Sequence, residues 1–298
     1  MPRRQAKPIT VPTPNPPTPN PPTPNQPTAT ATAQLRVTPT DLRERILADF
    51  ATLNVPLRAE QFDAVLARVE REGLSAQHFL HLLVADQAAQ RRERSIARRI
   101  REARFRDAKP LSAFDWEFNR AAIDRVQIEE LARAAFIGRR DNLVLVGQSG
   151  VGKSFLIQAI GLSACALGYT VRYTTSAGLL AHLTAALADR TLPKRLRSYA
   201  RFDLLIIDEF GFDRIEREQS PQAANLMFKI IDARGPGRST ALATNIDFRA
   251  WAEYLGDAPL ATAFLDRVVD GAIILKINGK SYRAQRPAGA RAESTSKH

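Results

Sequence analysis

Residues 143–154 read Leu-Val-Leu-Val-Gly-Gln-Ser-Gly-Val-Gly-Lys-Ser, and the apolar residues Phe155, Leu156 and Ile157 follow. Four consecutive apolar residues suit a strand buried on both faces, and the glycine-rich stretch after them ends it. The apolar run from Phe155 to Gly168 is too short for a membrane span and reads as the next helix. Strand, loop and helix open a series: further strands are expected at Thr170–Thr174, from Leu204 to Ile207 and at Ser239–Ala243. Such alternation predicts an α/β fold, a parallel sheet between helices.

Within that frame, Gly147 to Ser154 fits the pattern G-x-x-x-x-G-K-[ST], which needs a strand before it and a helix after it. Glycines let backbone N–H groups turn inward around phosphate oxygens, and the helix N-terminus adds favourable partial charge. The expected nucleotide-binding set is therefore Gly147, Gln148, Ser149, Gly150, Val151, Gly152, Lys153, Ser154 and Phe155. Lys153 would bridge the β- and γ-phosphates of ATP, and Ser154 would hold Mg²⁺.

Downstream residues fit hydrolysis. The apolar run Leu204-Leu205-Ile206-Ile207 ends in Asp208-Glu209. Asp208 is expected to bind Mg²⁺ and Glu209 to orient and polarise the attacking water. Asn245, after the Ser239–Ala243 strand, can hold that water or sense the γ-phosphate. Arg267, in Phe264-Leu265-Asp266-Arg267-Val268, reads either as an arginine finger for a neighbouring subunit's nucleotide or as an ion-pair partner of Asp266 or Asp270. The finger reading implies a homo-oligomer. Lys153, Glu209, Asn245 and Arg267 are thus the candidate catalytic groups. A small-molecule kinase would need an acceptor-binding lid and a lone strand-end Asp, and a non-catalytic DNA scaffold would not need the hydrolytic set.

The rest of the chain points to a polyanionic partner. Its 43 Lys plus Arg outnumber 31 Asp plus Glu, for a net charge of +12. Eight arginines and Lys109 face three acids between Gln87 and Lys109, and five cations face one acid between Asp189 and Arg201. Either run can be a solvated helix face with internal pairs, such as Glu102 with Arg98, Arg99 and Arg106. The excess in the first run favours phosphate-backbone contact by Arg91, Arg94, Arg98, Arg99 and Arg101, and in the second Lys194, Arg195 and Arg197 are either a solvated helix end or a further phosphate-contacting patch. Interleaved aromatics are lacking, so duplex DNA with little base readout is expected.

Residues 1–37 are expected to be a disordered tail, because 11 of the chain's 19 prolines fall in residues 1–33 within a Thr-Pro-Asn-Pro-Pro repeat. Helical spacing at Leu42, Ile46, Leu47 and Phe50, then from Ala59 to Gly73, then from Ser75 toward Pro110, predicts a small all-α domain over 38–108. An ATPase domain over 109–286 and a disordered tail over 287–298 complete the division. In the linker Lys109–Asn119, Phe114, Trp116 and Phe118 pack a seam or stack near the adenine. A helix is expected over Ile123–Gly138. One cysteine, Cys165, excludes an internal disulfide, four scattered histidines give no zinc-site spacing, and the N-terminus carries Arg3, Arg4 and Lys7 but not the apolar stretch of a secretory signal, so the cytoplasm and no membrane are expected.

From Leu42 to Arg283 these residues resemble the IstB family, the ATP-dependent helper proteins of insertion-sequence transposition and AAA+ relatives of the DnaC helicase loader. The resemblance rests on Glu72-Gly73-Leu74-Ser75, the arginine-rich stretch, Phe114-Asp115-Trp116 and Asp141-Asn142-Leu143 before the glycine loop. It also rests on Ile207-Asp208-Glu209-Phe210-Gly211, Thr244-Asn245 with Trp251, Leu265-Asp266-Arg267 and Gly279-Lys280-Ser281-Tyr282-Arg283. It implies a P-loop AAA+ core, assembly on DNA in the ATP state, and delivery or activation of a separate transposase. Gln148-Ser149 stand where members often have Pro-Pro. A DnaC-like helicase loader is the alternative, with the same core and a different grip in the N-terminal domain.

Overall fold

The structure, a computed structural model, describes residues 38–212 and 222–282. The expected tails at 1–37 and 287–298, and Arg283, lie outside them. Helix α1 (Pro39–Thr52) starts on a capping box: Asp41 N donates to Thr38 Oγ1 at 3.2 Å and Thr38 N donates to Asp41 Oδ2 at 3.3 Å. Helix α2 (Ala59–Glu72) closes on Gly73 in the left-handed region at φ +61°, and α3 (Ala76–Ala103) follows. The described residues divide into two compact units, one ending at Leu83 and the other beginning at Val84, within α3. In the first, buried Phe62 meets Phe79 edge-on at 6.0 Å, and Arg43 forks onto Asp63 at 2.7 and 2.6 Å.

The second unit holds helices α4 (Arg125–Ala132) and α5 (Ala135–Arg139), then strand β1 (Leu143–Gly147) and α6 (Lys153–Ala166). Next come β2 (Val171–Thr175), α7 (Ser176–Ala188), α8 (Leu192–Ala200) and β3 (Leu204–Phe210). It ends with α9 (Ala223–Arg234), β4 (Ser239–Thr244), α10 (Trp251–Leu255), α11 (Ala258–Val269) and β5 (Ile273–Ile277). The five strands form one parallel sheet in the order β2-β3-β4-β1-β5. Alternate side chains explain its unbroken apolar runs. Leu143, Leu145, Leu204 and Ile206 enter one core with Leu156, Ile157 and Ile160 of α6. Val144, Val146, Leu205 and Ile207 enter the other with Leu183 of α7, Met227 and Ile230 of α9, and Phe264 of α11. This parallel sheet between two helical layers, with the glycine loop directly after β1, is the α/β fold expected from the sequence. Among the described residues no helix is long and apolar enough to cross a membrane.

Two expected helices are corrected. The span Ile123–Gly138 is α4 and α5, separated at Ala134, whose φ is +58°. Helix α3 stops at Ala103 instead of continuing toward Pro110, since Arg104 has φ +57° and no longer follows the helix. Beyond it Phe105 packs on the core at 6.3 Å from the Tyr173 ring, and the backbone N–H groups of Arg106 and Asp107 donate to Gln158 Oε1 at 3.0 and 2.9 Å. Those contacts offset the lost helical hydrogen bonds.

Candidate nucleotide site

Parallel strands bring their carboxyl ends to one edge of the sheet, where α/β proteins bind ligands. Here that edge carries the loop after β1, the acids closing β3 and Asn245 after β4. They line a cavity of about 520 Å³. Gly150 (φ +83°) and Gly152 (φ +105°) hold backbone that side-chain-bearing residues rarely adopt. Space requires glycine there as well: a Cβ on Gly150 would lie 2.1 Å from Ser281 Oγ, and one on Gly152 would lie 3.0 Å from the Phe114 ring. Tyr282 N donates to Gly150 O at 2.9 Å, so the segment after β5 closes over the loop.

Lys153 is buried, and its Nζ donates to the carbonyl oxygens of Gly147 and Gln148 at 2.6 and 2.8 Å. The loop thus curls around its own ammonium. Ser154 Oγ donates to Asp208 Oδ1 at 3.1 Å, and the Tyr173 hydroxyl donates to Asp208 Oδ2 at 3.0 Å. Burial, and then the Asp208 carboxylate, push the Tyr173 phenol up, so it stays protonated and remains a donor at neutral pH. Asp208 is buried at 1% exposure, held from two sides with its Oδ1 turned to Ser154.

Glu209 lies within β3, not beyond it, in a register shift between Ile207 and Phe210 where the β3–β4 pairing is irregular. Its φ of +58° is strained for a side-chain-bearing residue, and such strain collects at functional sites. Glu209 Oε1 accepts a hydrogen bond from Arg106 Nη1 at 2.7 Å. Arg106 therefore pairs with Glu209, not with Glu102 as the helical-face reading expected. With its amide nitrogen toward the strand end, Asn245 donates to Phe210 O at 3.2 Å and Gly211 O at 3.3 Å, tying β4's end to the bulge.

Phe114 and Phe118 line the same cavity; Phe114 packs on Trp116 at 4.9 Å and Phe155 at 5.3 Å, and Phe118 meets Tyr282 at 4.8 Å. Phe114 and Phe118 thus face the cavity, while Trp116 packs with Phe114 against the core beneath it. Arg267 does not line it. Its backbone oxygen accepts from Asn142 Nδ2 at the opposite, amino edge of β1, and its guanidinium meets Asp232 of α9 at 2.8 Å and lies 4.7 Å over Phe228. The acid it meets is thus neither Asp266 nor Asp270. Arg91, Arg94, Arg98 and Arg101 are exposed along α3 with Arg99 partly covered, and Lys194, Arg195 and Arg197 are exposed on α8. Sequence reasoning missed Arg106, Tyr173 and Ser281 as site residues; Ser281 alone carried a signal, in Gly279-Lys280-Ser281-Tyr282.

Insertion-sequence ATP-binding proteins are among the known proteins similar to this chain. A putative ATP-binding protein of insertion sequence IS5376 from Geobacillus stearothermophilus is 32% identical over 242 residues, 81% of this chain and 94% of that protein. One of insertion sequence IS21 from Pseudomonas aeruginosa is 35% identical over 237 residues, 78% of this chain and 87% of that protein. Among solved structures, the DnaC helicase loader aligns at 19% identity with a TM-score of 0.44, covering 60% of this chain and 98% of the loader. Residues 48–290 match the family model for IstB-like ATP binding proteins, and the chain belongs to that family.

Proposed function

We propose that this chain hydrolyses ATP in the service of insertion-sequence transposition, assembling as a homo-oligomer on duplex DNA with little sequence preference and engaging a partner transposase in the cytoplasm. The supporting observation is the convergence of Lys153, Ser154, Asp208 and Glu209 on one cavity beneath a glycine loop. The relatives' association with insertion sequences supplies the biological setting.

In this reading the loop's N–H groups and Lys153 bind the β- and γ-phosphates. Ser154 and Asp208, one hydroxyl and one buried carboxylate 3.1 Å apart, form a donor set that suits Mg²⁺, which when bound neutralises phosphate charge. Glu209 takes a proton from the attacking water as its oxygen bonds to the γ-phosphorus. The bond to the β–γ bridging oxygen breaks, and ADP and phosphate leave. Asn245 positions the water, and Arg267 of a neighbouring protomer stabilises the charge on the transferring group. In functional terms the region 38–108, together with α8, engages DNA, and the region 109–286 carries out ATP hydrolysis.

Phosphate release measured with and without duplex DNA tests the reading: turnover is expected, and DNA should raise it severalfold. No turnover under either condition would overturn it. The ion pair to Arg106 adds a second expectation. A guanidinium bonded to Glu209 Oε1 competes with a water for the same oxygen. Arg106→Ala is therefore expected to raise turnover severalfold without DNA. With side-chain exposures of 66% and 35%, the pair contributes at most about 1 kcal/mol, so the unfolding midpoint should barely move. A lower rate would show that Arg106 aims Glu209 instead of restraining it.

A further inference from the structure

A second concavity, about 300 Å³, lies where edge strand β2 meets α7, α8 and the chain just after α3. Arg104, Arg172, Arg195 and Arg201 line it, against one carboxylate, Glu102. Among the described residues no carboxylate comes within 4 Å of any of these four guanidinium groups.

Arg172 is only partly exposed. Its Nη1 donates to the Glu102 carbonyl oxygen at 3.3 Å, and its guanidinium sits 5.8 Å from the Tyr199 ring centroid, which itself is buried. Burial, followed among the lowering influences by the charges of Arg104 and Arg195, pulls the Arg172 guanidinium below its ordinary range. His182, bonded through Nδ1 to the Tyr199 hydroxyl at 2.8 Å, is also held down, first by burial and then by Arg195, Arg172 and Arg104. Three guanidinium groups therefore repel one another across a concave, partly desolvated space. Such an arrangement is stabilised by an anion that accepts from several forks at once, and a phosphate oxygen set has that geometry.

The placement says which phosphate. The pocket joins the chain just after the arginine-rich α3 to α8, two basic runs some ninety residues apart in sequence, and Arg172 of β2 bridges them. Exposed arginines continue from it along α3, and Lys194 and Arg197 continue from it on α8. We infer that this pocket seats a backbone phosphodiester of duplex DNA and fixes the register of the strand that the two basic faces then follow. The inference rests on the proposal that the protein binds duplex DNA, and it names the site where that binding is anchored.

The test is a triple variant, Arg104→Ala, Arg195→Ala and Arg201→Ala, all exposed positions whose unfolding midpoint should stay within a few degrees of the parent. Arg172→Lys is a second variant that keeps charge but loses the planar fork. Affinity for a duplex of unrelated sequence is measured across salt concentrations. The triple variant should bind at least about tenfold more weakly at low salt, with a log–log salt slope shallower by about one, the contribution of one neutralised phosphate. Arg172→Lys should weaken binding by a smaller factor with the slope kept.

If the parent binds duplex DNA and both variants match it in affinity and slope, the pocket assignment is overturned while DNA binding stands. If the parent itself does not bind DNA, the broader proposal fails first. Inorganic phosphate is the remaining probe. Thermal stabilisation of the parent but not of the triple variant, with unchanged DNA affinity, would assign the pocket to a free anion and overturn the inference.

Discussion

Glu209→Gln is expected to leave ATP bound within about threefold of the parent affinity and to cut turnover by at least about a hundredfold, the usual contribution of a positioned general base. The substitution preserves shape, and the amide oxygen can still accept from Arg106, whose Nη1 lies 2.7 Å from Glu209 Oε1 in the parent. What it removes is the basic carboxylate proposed to take the water's proton. The bulge between Ile207 and Phe210, with its left-handed backbone at residue 209, aims this side chain at the cavity while buried Asp208 faces Ser154. Two adjacent acids thereby acquire separate roles. Nucleotide binding by fluorescence titration and phosphate release in single and multiple turnover separate the steps. Undiminished turnover would remove Glu209 from the mechanism.

Arg267→Ala carries the second large effect. An arginine finger contributes on the order of a thousandfold or more to phosphoryl transfer, so this variant should bind ATP as a monomer yet lose hydrolysis and nucleotide-dependent assembly. Within its own chain the guanidinium pairs with Asp232 at side-chain exposures of 45% and 52%. Such a pair contributes at most about 1 kcal/mol and gives way easily to a phosphate. Asp232→Ala therefore separates the accounts. It removes the same ion pair but should retain turnover, because the proposed finger role needs no intramolecular partner. If Asp232→Ala and Arg267→Ala behave alike in turnover, with only small changes in stability, Arg267 is a surface ion-pair residue and the shared-site proposal fails.

The nucleotide loop and strands were legible because their signals are local. Four apolar residues before a glycine loop, and four before two acids, state both burial and edge position within a dozen residues. The capping box at Thr38 and the left-handed stop at Gly73 are equally local. The helix breaks at Ala134 and Arg104 were not legible, because neither site carries the glycine or proline that normally marks such a turn. Tertiary contacts impose them, as Phe105 shows by leaving the helix for the core beside Tyr173. The partners of the site residues were hidden for a related reason. Arg106 and Glu209 lie 103 residues apart, and their meeting depends on where α3 ends and where β3 bulges. Arg172 shows the same limit: alone in a strand it carries no signal, and its meaning comes from the two basic runs that the sheet edge gathers around it.

On the proposed mechanism each ATP is hydrolysed between two protomers, one supplying the glycine loop and Glu209, the other Arg267. Mixing the two inactive variants distinguishes such a shared site from a site complete within one chain. A Glu209→Gln chain still offers an intact Arg267, and an Arg267→Ala chain still offers an intact loop and Glu209. Combined in equal amounts with ATP and duplex DNA, they should recover turnover well above that of either variant alone, because an interface that joins Glu209 of an Arg267→Ala chain to Arg267 of a Glu209→Gln chain is complete. A mixture as inactive as its separate components, under conditions where the parent assembles and turns over, would contradict the account.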